Sequence, residues 1–225
     1  MKKNTANPPE FYRALCHSET ELKRFIKDKL SAREPRTYLY KEVQSTEAAV
    51  LVPIFFKKGE AHILFTRRTE LVEHHKGQVS FPGGKRDEED VSLLATALRE
   101  SEEEVGLQPG DVTIVGQTDI FLTNTHYLVT PYVGFFPFPY NFKISANEIS
   151  HLIEVPLLYL LQDKHFEIKP WVKGNETWMI HYYYYEDEII WGVTGFLLSN
   201  FLSIVFGLRR EVFEVERTNK YRRNE

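Results

Sequence analysis

Arg99, Glu100, Glu102, Glu103 and Glu104 crowd into six consecutive positions, between a Gly83–Gly84 pair and a glycine at 106. Carboxylates at helical spacing repel, by about 0.2–0.5 kcal/mol per pair, so a cation is expected among them. In a helix Glu100, Glu103 and Glu104 stand at i, i+3 and i+4 and project from one face. Oxygen donors alone on one face suit a hard divalent cation, Mg2+ or Mn2+, rather than zinc. Such an ion neutralises phosphate charge and acidifies a bound water. An acidic run is by itself most often a solvated face. The Gly-Gly turn in front of this one and its Arg-Glu spacing set it apart, and the segment reads as a metal-dependent phosphate site.

The site needs a scaffold, and the flanking sequence predicts one. The stretches 48–56 (AAVLVPIFF) and 62–67 (HILFTR), joined by KKGEA, predict a β-hairpin. Gln78 to Phe81 predicts a short strand feeding the Gly-Gly turn. The acidic helix follows, with Leu94, Ala97, Leu98 and Val105 as its expected apolar side and Gly106 as its stop. Strands are expected over 112–118 and 128–136, with Pro131 marking an edge or a bulge. A strand near Ile149 should turn helical after Pro156. A second hairpin is expected over 178–185 and 188–191, its tyrosines 182–185 alternating inward and outward, and then a helix over 193–207. Upstream, Ser18 and Glu21 form a capping-box pattern ahead of an amphipathic helix over 19–31. SAREPR (31–36) then links that helix to the main domain. Mixed strands and helices with short connections indicate an α+β protein or an α/β/α sandwich.

The bulk properties exclude several classes. A net charge of −4 argues against a nucleic-acid binder, and 42% hydrophobic residues suffice for a packed core. One cysteine, Cys16, excludes an internal disulfide framework and fits a reducing cytoplasmic location. The first residues lack the apolar segment of a secretory signal, and 193–208 is too short to span a bilayer, so no membrane role is expected.

The segment from Gly83 to Leu107 resembles the signature box of the Nudix hydrolases. Its second half matches from Arg99 to Leu107 except for Ser101 in place of an aliphatic residue, and Asp90 stands near the place of the first Glu. The spacing from Gly84 to Arg99 is one residue longer than in the general box, as in the coenzyme A pyrophosphatase branch. Upstream, Leu64, Thr66, Gly77 and Phe81 to Gly84 match that branch's second motif, while Glu73 sits where an Arg is expected.

The resemblance implies a Nudix-like α/β/α sandwich with a mixed sheet, divided as a helical extension and linker (1–36), the hydrolase domain (37–208) and a polar tail (209–225). It implies cleavage of the diphosphate of coenzyme A, or of an acyl form, to adenosine 3′,5′-bisphosphate and 4′-phosphopantetheine. Glu103 and Glu104 would be inner ligands of Mg2+ or Mn2+, helped by the Gly83 carbonyl, with Glu100 a third ligand or the base. Arg99 would hold a carboxylate in place rather than touch substrate, and Glu148 is a candidate extra acid. Arg67, Arg68, Lys76 and Gln78 are candidate substrate contacts, and His74 and His75 are weaker candidates for catalysis. The alternatives are a sister specificity (ADP-ribose, a dinucleotide or a nucleoside triphosphate), a nucleotide-sensing module without turnover, and a purely structural protein. The N-terminal helix is expected either to cover the site or to form a homodimer contact.

Overall fold

The computed structural model describes residues 8–39, 44–71, 76–173, 176–210 and 215–217. Two helices come first, α1 (Glu10–Cys16) and α2 (Glu19–Ser31), followed by the short β1 (Thr37–Tyr38). The long hairpin is β2 (Thr46–Lys57) and β3 (Glu60–Arg68), in antiparallel register from Ile54↔Ile63 to Lys57↔Glu60. Lys58 and Gly59 both have positive φ, 53° and 78°, the backbone of a two-residue turn whose twist matches that of the strands. The site segment contributes β4 (Val79–Ser80), β5 (Gly83–Lys85) and α3 (Leu93–Val105). Then come β6 (Thr113–Gln117), β7 (Ile120–Leu122), β8 (Tyr127–Phe135), β9 (Ile149–Pro156) and α4 (Leu157–Leu160). The chain closes with β10 (Phe166–Lys173), β11 (Glu176–Tyr185), β12 (Glu188–Trp191), α5 (Gly192–Phe206) and β13 (Val215–Arg217).

The main sheet is mixed. β8 runs parallel to β2, β1 runs parallel to β7, and the remaining pairs, including β3 with β9, are antiparallel. Alternation along its strands separates two cores. Leu51, Phe55 and Leu64 face α3 and pack with Val105 and Leu107. Val52, Ile54, Ile63 and Phe65 face the other way, onto α2, α4, α5 and the second sheet. The protein is therefore an α+β sandwich of helix, mixed sheet and helices, as the sequence predicts. The second sheet, β10-β11-β12 with β13 beside β11, packs its inward Tyr183 under α5. Among the described residues no helix is long and apolar enough to cross a membrane.

Several expectations need correction. The capping box does not form: Ser18 precedes α2 without a side-chain bond, and Glu21 pairs instead with Arg24. Pro131 lies on a central strand, paired with Val50 of β2 on one side. On the other side it faces the break between β6 and β7, where its carbonyl accepts from the Thr118 amide. The missing N–H is tolerated because the ladder is interrupted there. SAREPR is tied down as well as linking: Arg33 pairs with Asp119, and the Arg36 amide donates to the same carboxylate at 2.7 Å. Arg210, in the stretch that reads as polar tail, is 3% exposed and donates to the carbonyls of Leu160 and Leu161 and to Asp163. The strand β10, absent from the expectations, carries Pro170 at the sheet's edge.

Candidate active site

The site is built where β5 crosses β2 and runs into the start of α3. Ser92 begins the helix by accepting from the Ala95 amide at 3.1 Å. Gly106, at φ 74°, ends it, with its own amide bonded back to Glu102 and that of Leu107 to Ser101. Thirteen residues are thereby fixed against the Gly-Gly turn. The two glycines differ in purpose. Gly83 has φ 149°, and a Cβ there would strike the Ala49 carbonyl and lie 2.5 Å from Val50 Cα. It is glycine because β5 lies tight on β2. At Gly84 a Cβ would stand 2.5–2.6 Å from the carboxylate atoms of Glu100. It is glycine because a catalytic candidate occupies that space.

The buried stripe of α3 differs from the expected one. It runs through Thr96, Ala97, Ser101, Glu104 and Val105, whereas Leu94 and Leu98 are only half-buried. Ser101 fits the core by donating to the Ala97 carbonyl at 2.7 Å. The stripe is polar because it delivers Glu104 inward: this carboxylate is 2% exposed, Glu100 stands half-buried beside it, and Glu103 is exposed. Glu102 points to solvent.

Arg99 organises the outer part. Its Nε and Nη2 form a fork on Asp90, each bond 3.0 Å, while Nη1 donates to Glu100 at 3.0 Å and to Glu103 at 2.9 Å. Asp90 also accepts from Thr96 Oγ1 and from the Asp87 amide. The Arg99 bonds hold the Asp90 carboxyl well below the usual range. Asp90 thus anchors Arg99, and Arg99 spaces two of the box glutamates. The nine-residue separation from Arg99 is the signal in sequence that could have linked them.

Glu104 is electrostatically different. Burial pushes its carboxyl up to about 8, opposed by Arg68 and reinforced by Glu100 and Glu148. Its partners are few and long: Arg68 Nη1 at 3.4 Å and the Gly83 amide at 3.3 Å. Burial likewise raises Glu100, with Arg99 opposing and Glu103 and Glu148 adding. Glu148 is exposed, but its charge reaches both box glutamates, and its backbone holds the loop by accepting from the Thr69 amide at 2.8 Å.

The other candidates scatter. Arg68 faces Glu104, and its Nε is buried with no hydrogen-bond partner among the described residues. Arg67 has the strand parity of Ile63 and Phe65, so it points away from α3 and pairs with Glu188 of β12. Glu188 also meets His151 at 2.9 Å, a contact between distant segments that no local pattern announces. Lys76 is exposed. Gln78 is half-buried, and its backbone carbonyl accepts from the Arg68 amide. Glu73, His74 and His75 lie outside the described residues.

Whether these groups suit a divalent cation can be tested on the donors themselves. Among the described residues no three acidic, imidazole or thiol groups stand as a ready-made metal set. The reason is visible: Arg99 lies between Glu100 and Glu103, and Arg68 lies against Glu104. The chemistry nevertheless fits. The donors are all oxygen, and charge-assisted bonds normally close to about 2.7–2.9 Å. Among the described residues the buried Glu104 has two longer ones, and it faces further negative charge.

Comparison with known proteins follows the same line. A family model described as the NUDIX domain matches residues 45–173. A Yersinia enterocolitica protein called uncharacterized Nudix hydrolase NudL is 37% identical over 154 residues, covering 68% of this chain and 78% of that protein. The mouse (Mus musculus) peroxisomal coenzyme A diphosphatase NUDT7 is 35% identical over 148 residues, covering 66% of this chain and 63% of that one. Among solved structures, the binary complex of a C. elegans Ap4A hydrolase is 18% identical with a TM-score of 0.42, over 50% of this chain and 80% of that one.

Proposed function

The chain belongs to the Nudix hydrolase family, and from that premise we propose that it hydrolyses the diphosphate of coenzyme A or an acyl-coenzyme A. The observation that carries the hydrolytic reading is the buried, under-compensated Glu104 set beside Glu100 and Glu148 at the Gly83–Gly84 turn. A chain that only sensed nucleotides would gain nothing from holding carboxylates out of water in this way, since burial of an unpaired charge is costly. Support for coenzyme A comes from the likeness to the mouse diphosphatase and from the matching positions Leu64, Thr66, Gly77 and Phe81 to Gly84.

In this reading Glu103, Glu104 and the Gly83 carbonyl would hold Mg2+ or Mn2+. When bound, the ion supplies charge neutralisation and an acidified water. The chain's own residues do the rest. Glu100, pressed against Gly84 and raised by burial, accepts the proton of the attacking water. Arg99 keeps Glu100 and Glu103 apart and is itself fixed by Asp90, so it positions rather than reacts. Attack at phosphorus forms one P–O bond and breaks the bridging P–O bond, giving two phosphomonoesters. Arg68 and Lys76 are the cationic groups on hand for the substrate; Arg67 is engaged by Glu188.

Glu73 in place of the motif arginine favours a second reading, a related diphosphate such as ADP-ribose or a dinucleotide, because a glutamate repels a phosphate where an arginine grips it. One product assay separates them. Parent and Glu103→Gln proteins are given Mg2+ and coenzyme A, acetyl-coenzyme A, ADP-ribose, NADH or a dinucleoside polyphosphate. Release of adenosine 3′,5′-bisphosphate from coenzyme A, reduced at least about 100-fold in the variant, is the expected result. Turnover confined to another diphosphate would keep the hydrolase and reject the coenzyme A reading, and no turnover of any would reject both.

A further inference from the structure

Arg68 has the strand parity of Leu64, so it lies on the face towards α3 and meets Glu104 there. The β3–β9 register shifts between Arg67 and Arg68, from Arg67↔His151 to Arg68↔Ile149. Alternation parts the neighbouring arginines: Arg67 goes to Glu188 on one face, and Arg68 goes to Glu104 on the other. The backbone at this point is pinned, the Arg68 amide donating to Gln78 at 3.0 Å and the Thr69 amide to Glu148 at 2.8 Å.

The guanidinium is nevertheless only loosely engaged. A single nitrogen reaches Glu104, at 3.4 Å, and the buried Nε has no partner among the described residues. An arginine built to lock a carboxylate would use its fork at shorter range, as Arg99 does on Asp90. The loose contact suits a cation that must be able to leave.

We propose that Arg68 is the resident countercharge of Glu104, occupying the carboxylate until a divalent cation displaces it, so that arginine and metal compete for one oxygen site. The inference rests on the metal-dependent reading above and adds the identity of the competitor. Metal affinity is accordingly held below what the carboxylates alone would give. The displaced guanidinium, its Nε without a partner among the described residues, is then released towards an anionic substrate, which places metal binding before substrate binding.

The test is Mn2+ affinity, read by the free-ion EPR signal with no substrate present. Parent, Arg68→Met and Arg68→Lys proteins are titrated. Removing a like charge a few ångströms from the ion should tighten Mn2+ binding about tenfold in Arg68→Met, and leave it near the parent's in Arg68→Lys, which keeps the charge. Melting curves should show the metal-free Arg68→Met protein below the parent and the Mn2+-saturated protein restored. If the parent binds Mn2+ and the Arg68→Met protein binds it equally or more weakly, the competition is overturned while the hydrolase reading stands. A parent that binds no Mn2+ overturns both. Should Arg68→Met fail to fold, Arg68→Gln, which also removes the charge, decides alone: tighter binding supports the competition, and equal or weaker binding overturns it.

Discussion

Two adjacent glycines, alike in sequence, are required for unrelated reasons, and substitution separates them. Ala at 83 would collide with the β2 backbone and adopt a φ of 149°, which a side chain resists, so Gly83→Ala should cost about 3 kcal/mol and lower the melting temperature. The nearest atoms to Ala at 84 are the end of the Glu100 side chain, which can shift where the β2 backbone against Gly83 cannot. Gly84→Ala should therefore melt near the parent while kcat falls about 100-fold, since displacing a reacting group by an ångström costs that much. Equal activity in the Gly84→Ala protein would remove Glu100 from the chemistry. Asp90 gives the contrasting case of a residue that acts through structure. Its carboxyl, depressed chiefly by Arg99, stabilises the fold above its ordinary value of 3.8 and loses that contribution as pH falls through its lower folded value. Asp90→Asn should cost about 2–3 kcal/mol at pH 7. The melting-temperature gap between parent and variant should close below about pH 4. A gap that stays constant on acidification would show that charge on Asp90 is not what holds Arg99.

At the scale of elements, sequence and structure agree wherever local chemistry decides. The β2–β3 hairpin, the break at Gly106, the switch from strand to helix at Pro156 and the β11–β12 hairpin are all where turn residues and periodicity place them. Tyr183 is inward and fully buried, as alternation requires, while Tyr182 lies parallel to Trp191 on the outer side. The inward face of α3 was legible at Ala97 and Val105, which are fully buried, but not at its polar positions, because hydrophobicity assigns Leu94 and Leu98 to the core. What turns the helix is the seating of Glu104 and Glu100 against the Gly83–Gly84 turn of the strand just before it. β10 and the short α1 were missed for a related reason. Pro170 demotes one by composition, and the other is held by tertiary contacts, the Tyr12 hydroxyl donating to the Phe206 carbonyl at 2.8 Å. Alternation along β3 separates Arg67 from Arg68, but the partner each one meets has no local signal, since Glu188 and Glu104 come from distant segments. Local rules therefore located the carboxylates, and only the assembled sheet shows which arginine meets them.

The whole molecule is more interdependent than its motifs suggest. The family match ends at residue 173 and begins at 45, yet the core beneath the sheet is completed from outside those limits. Leu22, Ile26 and Leu30 come from α2, and Phe196, Leu197, Leu198, Phe201 and Leu202 from α5; all are at most 5% exposed. Asp119, inside the matched region, is held by Arg33 before it and by Asn200 after it, the Asn200 amide donating at 3.0 Å. Uncovering those eight side chains forfeits roughly 15 kcal/mol at about 2 kcal/mol each, as large as the entire stability of an ordinary domain. A fragment limited to 45–173 should thus retain every box residue and still fail to fold: no cooperative thermal transition by circular dichroism, and no Mn2+ binding. A chain lacking only residues 1–31 should be intermediate, soluble with difficulty and melting far below the parent, because α5 still covers most of that face. If the 45–173 fragment instead melts cooperatively and binds Mn2+, the flanking helices are an accessory layer, and the site's geometry owes nothing to them. The expected failure would mean that the spacing of Glu100, Glu103 and Glu104 becomes a site only because segments outside the motif hold the sheet on which Gly83 and Arg68 are mounted.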